Sequence, residues 1–318
     1  MRLFIGILTT IVIVALILIF MVKPAQAPQR ESFSVVGTIF PLADWLREIG
    51  GSDVTVHCLV AGAANPHHFE PSTRDAVRIS QARAVFAIGL GLDVWAEKLV
   101  KNAGRGDKLT YFETGKWIAS RKISAVKTII SDAHESHEHC SNEIGDDDPH
   151  YWLDPRRATV VVRQMADALS QLDPAHREGY LGRAASYIEK LEALDITLRK
   201  KADQIPPGAQ IVTFHDAYGY LLERLNIKLA AVVQMCPGVE PSLKDMIEAE
   251  RIMREIRQRV VFVELQESSK AATLIAERLG AKVETLDPMD SEVSQVGKTY
   301  LERLTHNFDL LAKAVTAP

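Results

Sequence analysis

The sequence predicts an α/β protein of two similar lobes with mainly parallel sheets, joined by one long, rigid helix. Three observations carry this. Short β-rich runs alternate with helical patterns along most of the chain, the signature of α/β units. A motif recurs between the halves, Glu70-Pro71-Ser72 with Asp75 and Glu240-Pro241-Ser242 with Asp245, each time followed by a helical pattern and an apolar run. Between the halves lies a helical period far longer than a single αβ unit needs.

Strands are expected at Ser34–Ile39, Thr55–Val60, Ala84–Ile88 and Val126–Ile130 in the first half. In the second half they are expected at Gln210–Phe214, Leu229–Val233, Val260–Val263 and Lys282–Leu286. In the recurring motif, Ser begins a helix and the acid three residues on suits a capping box. The long helix is expected to start at Asp173-Pro174, an N-cap followed by Pro at the first helical position. Leu181, Ala184, Ala185, Ile188, Leu191, Leu194 and Leu198 then recur at three- and four-residue spacing until Pro206-Pro207-Gly208 stops the pattern. At about 1.5 Å per residue this helix spans roughly 45 Å, enough to run along both lobes. The resulting division is 33–172 for a first lobe, 173–205 for the linking helix and 208–318 for a second lobe.

Residues 1–27 stand apart. Leu3 to Val22 is almost wholly apolar, lies between Arg2 and Lys23, and is followed by Ala25-Gln26-Ala27, the pattern of a secretory signal with its cleavage site. The run exceeds a usual signal core, and Pro28 would be the first mature residue, so an uncleaved membrane anchor stays open beside a cleaved signal. Either way the folded part is expected outside the inner membrane, in the periplasm or an equivalent extracytoplasmic space.

The 318 residues are 47% hydrophobic and 25% charged, which excludes a disordered chain. Arg2 and Lys23 supply two of the 37 basic residues, and all 41 acids lie beyond them, so the remainder carries a net charge of about −6. With no basic stripe, nucleic acid is excluded as a partner. Cys58, Cys140 and Cys236 are too few for a disulfide scaffold; export permits one pair, and Cys58 with Cys236 is conceivable.

The chemistry concentrates at strand ends. His67 follows Leu59–Val60 in A-G-A-A-N-P-H-H-F-E-P, His150 lies in D-D-P-H-Y-W-L-D-P, and His215 closes I-V-T-F-H. Asp287 ends a fourth run, K-V-E-T-L-D-P. Functional groups of open α/β sheets gather at such ends, and imidazoles with a carboxylate suit a transition metal, zinc first. Each residue has a plainer reading: a loop histidine is more often solvated, Trp152 beside His150 fits a core, and Asp-Pro after a strand is ordinary turn chemistry. Glu264, ending V-F-V-E, is a rival carboxylate. No short metal-binding spacing such as H-E-x-x-H links the four. The segment Ser131–Asp148, with His134, His137, His139 and Cys140 among seven acids, reads equally as a solvated acidic loop or a weak metal collector. His57, His176 and His306 have no supporting neighbours.

These motifs resemble the solute-binding proteins of zinc and manganese ABC transporters, the cluster A-I family. The resemblance runs from about Ser34 to the C-terminus and rests on N-P-H-H-F-E-P-S, D-P-H-Y-W-L-D-P, the T-F-H-D-A-Y-G-Y run from Thr213, G-V-E-P-S, Q-E-S-S-K from Gln266 and L-D-P from Leu286. It implies a metal site in the cleft between the lobes, with ligands at His67, His150, His215 and, where the family uses a carboxylate, Asp287. Manganese-type members commonly carry glutamate at the third histidine position, so His215 favours zinc.

The expected function is capture of a zinc ion as transported cargo, with manganese as the alternative metal, and its delivery to an ABC permease by a monomeric, non-enzymatic protein. The rival from another class is a secreted zinc hydrolase with Glu264 or Glu70 as base, which needs an open coordination position. A surface adhesin reusing the fold is a further rival.

Overall fold

The two sheets repeat one plan. In the computed structural model, which describes residues 33–62, 64–123, 146–233, 243–256, 260–264, 270–294 and 296–316, the first sheet comprises β1 (Phe33–Gly37), β2 (Val54–Cys58), β3 (Ala84–Ala87) and β4 (Thr110–Glu113). The second comprises β5 (Gln210–Thr213), β6 (Lys228–Val232), β7 (Val260–Glu264) and β8 (Lys282–Leu286). Strand orders are β2-β1-β3-β4 and β6-β5-β7-β8, with every neighbour parallel. Parallel pairing follows from crossovers that cover both faces, so central strands such as β3 and β7 are buried throughout, and only Glu264 at the end of β7 interrupts their apolar runs. The edge strand β8 instead carries exposed Lys282 and Thr285 on an open rim.

The helices are α1 (Phe40–Gly50), α2 (Thr73–Gln81), α3 (Val94–Asn102), α4 (Pro155–Leu172), α5 (Arg177–Ala202), α6 (Gly219–Leu225), α7 (Leu243–Glu255), α8 (Lys270–Leu279) and α9 (Tyr300–Thr316). The capping box expected at Ser72 and Asp75 is present at the start of α2. Its second copy, at Ser242 and Asp245, lies outside the described side chains, as do the N-terminal segment, the Val126–Ile130 strand expectation and the His134–Cys140 cluster. Cys58 keeps a free, buried thiol, while Cys140 and Cys236 fall outside the described residues.

The linking helix starts later than expected. Pro174–His176 form a 3-10 turn because the Asp173 carboxylate bonds the His176 ring and the Tyr180 hydroxyl, at 2.5 and 2.8 Å, and leaves the helix N–H groups uncapped. The 26-residue α5 then spans about 39 Å. Its buried stripe includes Tyr180, Tyr187 and Asp195 beside the anticipated Ala184, Ile188, Leu191 and Leu198, while Leu181 and Leu194 are half-buried and Ala185 is exposed.

Strand alternation sends successive residues to opposite faces. Val35, Ala84, Phe86, Ile211, Val260 and Phe262 turn inward to one core that also takes side chains from α1, α4, α5, α6 and α9. Val36 and Val85, and in the second lobe Val212, Val261 and Val263, turn outward to smaller clusters. The long helix is therefore packed into the main core. Polar ties fix it at both ends: Arg183 donates to the carbonyl oxygens of Ile49 and Gly50 that close α1, and Asp195 pairs with Arg224 of α6.

Candidate metal centre

Register places the second-lobe residues. Thr213 stands beside Phe262 in the β5–β7 pair, and two residues further on each chain come His215 and Glu264. Here the chain has left β5 toward β6 on one side and returned to β7 on the other, so a crevice opens at the carboxyl ends of the strands. The first lobe has the same geometry: the Thr38 amide donates to the Phe86 carbonyl as that of Phe214 does to Phe262, both at 3.0 Å. The positions equivalent to His215 and Glu264 are therefore Ile39 and Ile88, both fully buried. In that lobe the buried Asp93 carboxylate fills the strand ends, accepting from the Thr38 hydroxyl at 2.6 Å and from the amides of Ile88 and Gly89 at 2.8 Å. One crevice is plugged; its twin carries the imidazole and carboxylate.

Local chemistry positions the other two histidines. His67 sits in the 3-10 turn Pro66–His68, where the Asn65 side chain accepts from its amide at 2.9 Å and Trp95 anchors the turn through the Pro66 carbonyl. His150 precedes the turn Tyr151–Leu153, and one Asp148 oxygen accepts from both its amide, at 2.9 Å, and its Nδ1, at 2.8 Å. The other Asp148 oxygen takes Arg121 at 2.6 Å. The second lobe secures this strap as well: Tyr220 of α6 donates to the Asp148 carbonyl, Trp152 donates to the Pro288 carbonyl, and Tyr300 of α9 donates to the Trp152 carbonyl.

The three imidazoles converge. One nitrogen from each of His67, His150 and His215 lies within 4.8 Å of the others. The Nε2 atoms of His67 and His150 are 3.4 Å apart. Two ligands of a tetrahedral zinc at about 2.0–2.1 Å sit about 3.4 Å from one another, so this pair already has the edge length of such a shell. Behind the shell, Nδ1 of His150 faces Asp148, and Nδ1 of His215 faces both Glu264 oxygens at 3.1 and 3.3 Å. A carboxylate can only accept from these nitrogens, so each Nδ1 carries a proton and Nε2 is the nitrogen turned forward. Nδ1 of His67 is buried with no hydrogen-bond partner among the described residues.

The electrostatics separate the three rings. Burial, then the neighbouring His215 and His150 rings, pull His67 well below the ordinary imidazole range. Burial pulls His215 down too, but the charge and hydrogen bond of Glu264, with Asp216 and Asp290, outweigh it and raise the ring to about 9. Burial likewise opposes ionisation of Asp148, yet its contacts with His150 and Arg121 hold the carboxyl below its usual value. Burial pushes Asp290 well above its usual value, reinforced by Glu264 and Asp287. The surroundings are acidic, which suits a cation.

The fourth anticipated residue does not join the set. Asp287 directly follows β8, but its carboxylate is turned to Arg303 of α9, with Nε on Oδ2 and Nη2 on Oδ1, both at 2.6 Å. The Met289 amide and the Ser294 hydroxyl take the remaining positions, at 2.8 and 2.9 Å. The physical reason is the fully buried Arg303, sixteen residues downstream, whose charge requires a partner. Glu264, the rival carboxylate, stands behind His215 and outside the converging group. Asp148 was the partner not foreseen, although its place two residues before His150 offered a signal.

Comparison with known proteins follows this geometry. Residues 35–314 match the family described as zinc-uptake complex component A periplasmic. A putative metal-binding protein of Treponema pallidum is 28% identical over 291 residues, covering 92% of this chain and 90% of the relative. The zinc-binding lipoprotein AdcA of Streptococcus pneumoniae is 25% identical over 306 residues; these are 95% of this chain but 60% of AdcA, so the chain spans only part of that relative's length. Among solved structures, the laminin-binding protein Lmb of Streptococcus agalactiae, described as a bifunctional protein with adhesin and metal-transporting activity, superposes with a TM-score of 0.76 at 28% identity, covering 90% of this chain and all of Lmb.

Proposed function

The chain belongs to the zinc-uptake complex component A periplasmic family, and from that premise we propose that it captures zinc outside the cytoplasmic membrane and delivers it to an ABC-type permease. The observation that carries the reading is the convergence of three imidazole nitrogens within 4.8 Å of one another, one pair at the 3.4 Å edge of a zinc shell, with two of the rings backed by carboxylates. His67, His150 and His215 are the ligands, residues 33–172 and 208–318 the metal-binding lobes, and 173–205 the link between them. Three nitrogens favour zinc over manganese, which prefers more oxygen and stands lower in the affinity order. Residues 1–27 direct export, and the protein acts as a monomer.

A three-imidazole shell leaves a fourth position, as hydrolytic zinc sites do, so coordination number alone does not separate carrier from hydrolase. What supports a carrier is the placement of Asp148 and Glu264. Both lie behind the rings, against Nδ1, and neither faces the side where an ion-bound water would sit.

Competitive titration of zinc and manganese on the purified protein tests the reading. One zinc is expected to bind tightly. Changing His67, His150 or His215 to Ala is expected to weaken it more than about 100-fold, since even residues behind a ligand cost about 10–100-fold. Unchanged affinity in His150→Ala or His215→Ala would refute the site.

A further inference from the structure

We propose that Arg303 is a specificity-determining residue for the metal site: it holds the Asp287 carboxylate out of the coordination shell and so keeps the centre a three-nitrogen, zinc-selective one. The inference rests on the zinc-capture reading and adds what sets its choice of metal.

Asp287 stands next to the frame that holds the imidazoles. It follows β8, the neighbour of β7, which carries Glu264. The next residue, Pro288, accepts a hydrogen bond from Trp152, whose ring lies 5.2 Å from that of His150. An ionised carboxylate offers about four lone-pair positions. Here all four are used: Arg303 Nη2 and the Met289 amide on Oδ1, Arg303 Nε and the Ser294 hydroxyl on Oδ2. The backbone of Asp287 is clamped as well, its amide donating to Asn307 and its carbonyl accepting from Asn307, one turn beyond Arg303 on α9. A metal could take this carboxylate only by stripping it from a guanidinium with no access to water.

Arg303 is itself built in. It is fully buried, lies 4.1 Å over the Phe40 ring, and donates its remaining Nη1 to the Ser291 carbonyl at 2.8 Å. The fork geometry explains why arginine is required, since lysine could not engage both carboxylate oxygens and the carbonyl together. Its consequence falls on selectivity. Zinc is satisfied by three imidazoles and one small exogenous ligand, whereas manganese needs the oxygen donor that Arg303 withholds.

The test compares wild type, Arg303→Met and Asp287→Asn/Arg303→Met by competitive titration with Zn2+ and Mn2+ and by the visible absorption of bound Co2+. Arg303→Met is expected to narrow the zinc-over-manganese preference about tenfold or more and to weaken the Co2+ bands as an oxygen ligand joins the shell. The double variant is expected to return both readouts to wild-type values. A folded Arg303→Met with unchanged preference and unchanged Co2+ spectrum would overturn the proposal. If Arg303→Met does not fold, the charge-balanced double variant decides: zinc affinity within about threefold of wild type supports Asp287 as a non-ligand, and a loss of about tenfold or more refutes it. Wild-type protein that binds no zinc would overturn the capture reading itself, and this inference with it.

Discussion

The imidazoles of His215 and His67 present opposite faces to an arriving ion. His67, well below the ordinary range, is neutral at pH 7.5; His215, raised to about 9, is protonated. Zinc must therefore displace a proton from His215, and binding weakens as pH falls below about 9 rather than only through the unperturbed histidine range near 6.5. Calorimetry at pH 7.5 in buffers of different ionisation enthalpy is expected to show about one more proton released by wild type than by Glu264→Gln, because that change removes the charge holding His215 protonated. Equal proton counts would rule the Glu264 effect out. At this scale the sequence was legible where one residue and its near neighbours suffice: His215 closes an apolar run, and His67 and His150 each directly follow a proline. It was illegible where the deciding partner is remote, as Arg303 is for Asp287. Hydrogen-bond capacity is settled by whichever buried donor arrives, and no local pattern announces that donor.

At the scale of elements, seven of the eight strands were readable because their apolar runs are bounded by turns. The exception, β4, is only four residues long and half-buried throughout, so Thr110–Glu113 lacks the continuous apolar signal of its neighbours. The start of α5 was misjudged because Asp173 spends its carboxylate on two side chains. The capping box of α2 invites a direct check. Ser72→Ala removes the acceptor for the Asp75 amide and the partner of the Asp75 carboxylate, and is expected to cost about 1 kcal/mol in denaturant-induced unfolding. Because His67 is held by its own Asn65 turn, zinc affinity is expected to change little in that variant. The pairing of Ile39 and Ile88 with His215 and Glu264 shows why two matching lobes carry only one crevice of this kind: equivalent backbones hold side chains of opposite character.

Across the whole molecule, one hydrophobic core runs from the first sheet through α4 and α5 to the second sheet. Opening the lobes like a book would expose that core, so wide hinge motion is disfavoured. Small-angle scattering is expected to give a radius of gyration near 19 Å with and without zinc, changing by less than about 1 Å. Thermal unfolding is expected to be a single transition that moves upward with zinc. A larger compaction, or two transitions, would show that the lobes move or melt separately. The way the three rings are mounted gives such stiffness a use. His150 belongs to the first half of the sequence, yet its strap is bolted to α6, to Pro288 and to α9; His215 grows from the second sheet; His67 alone rides on the first, with nothing among the described residues gripping its ring from behind. A tilt of a fraction of an ångström would then act on a single bond, leaving the cargo held by a fixed pair of nitrogens and open on one flank to whatever group takes it next.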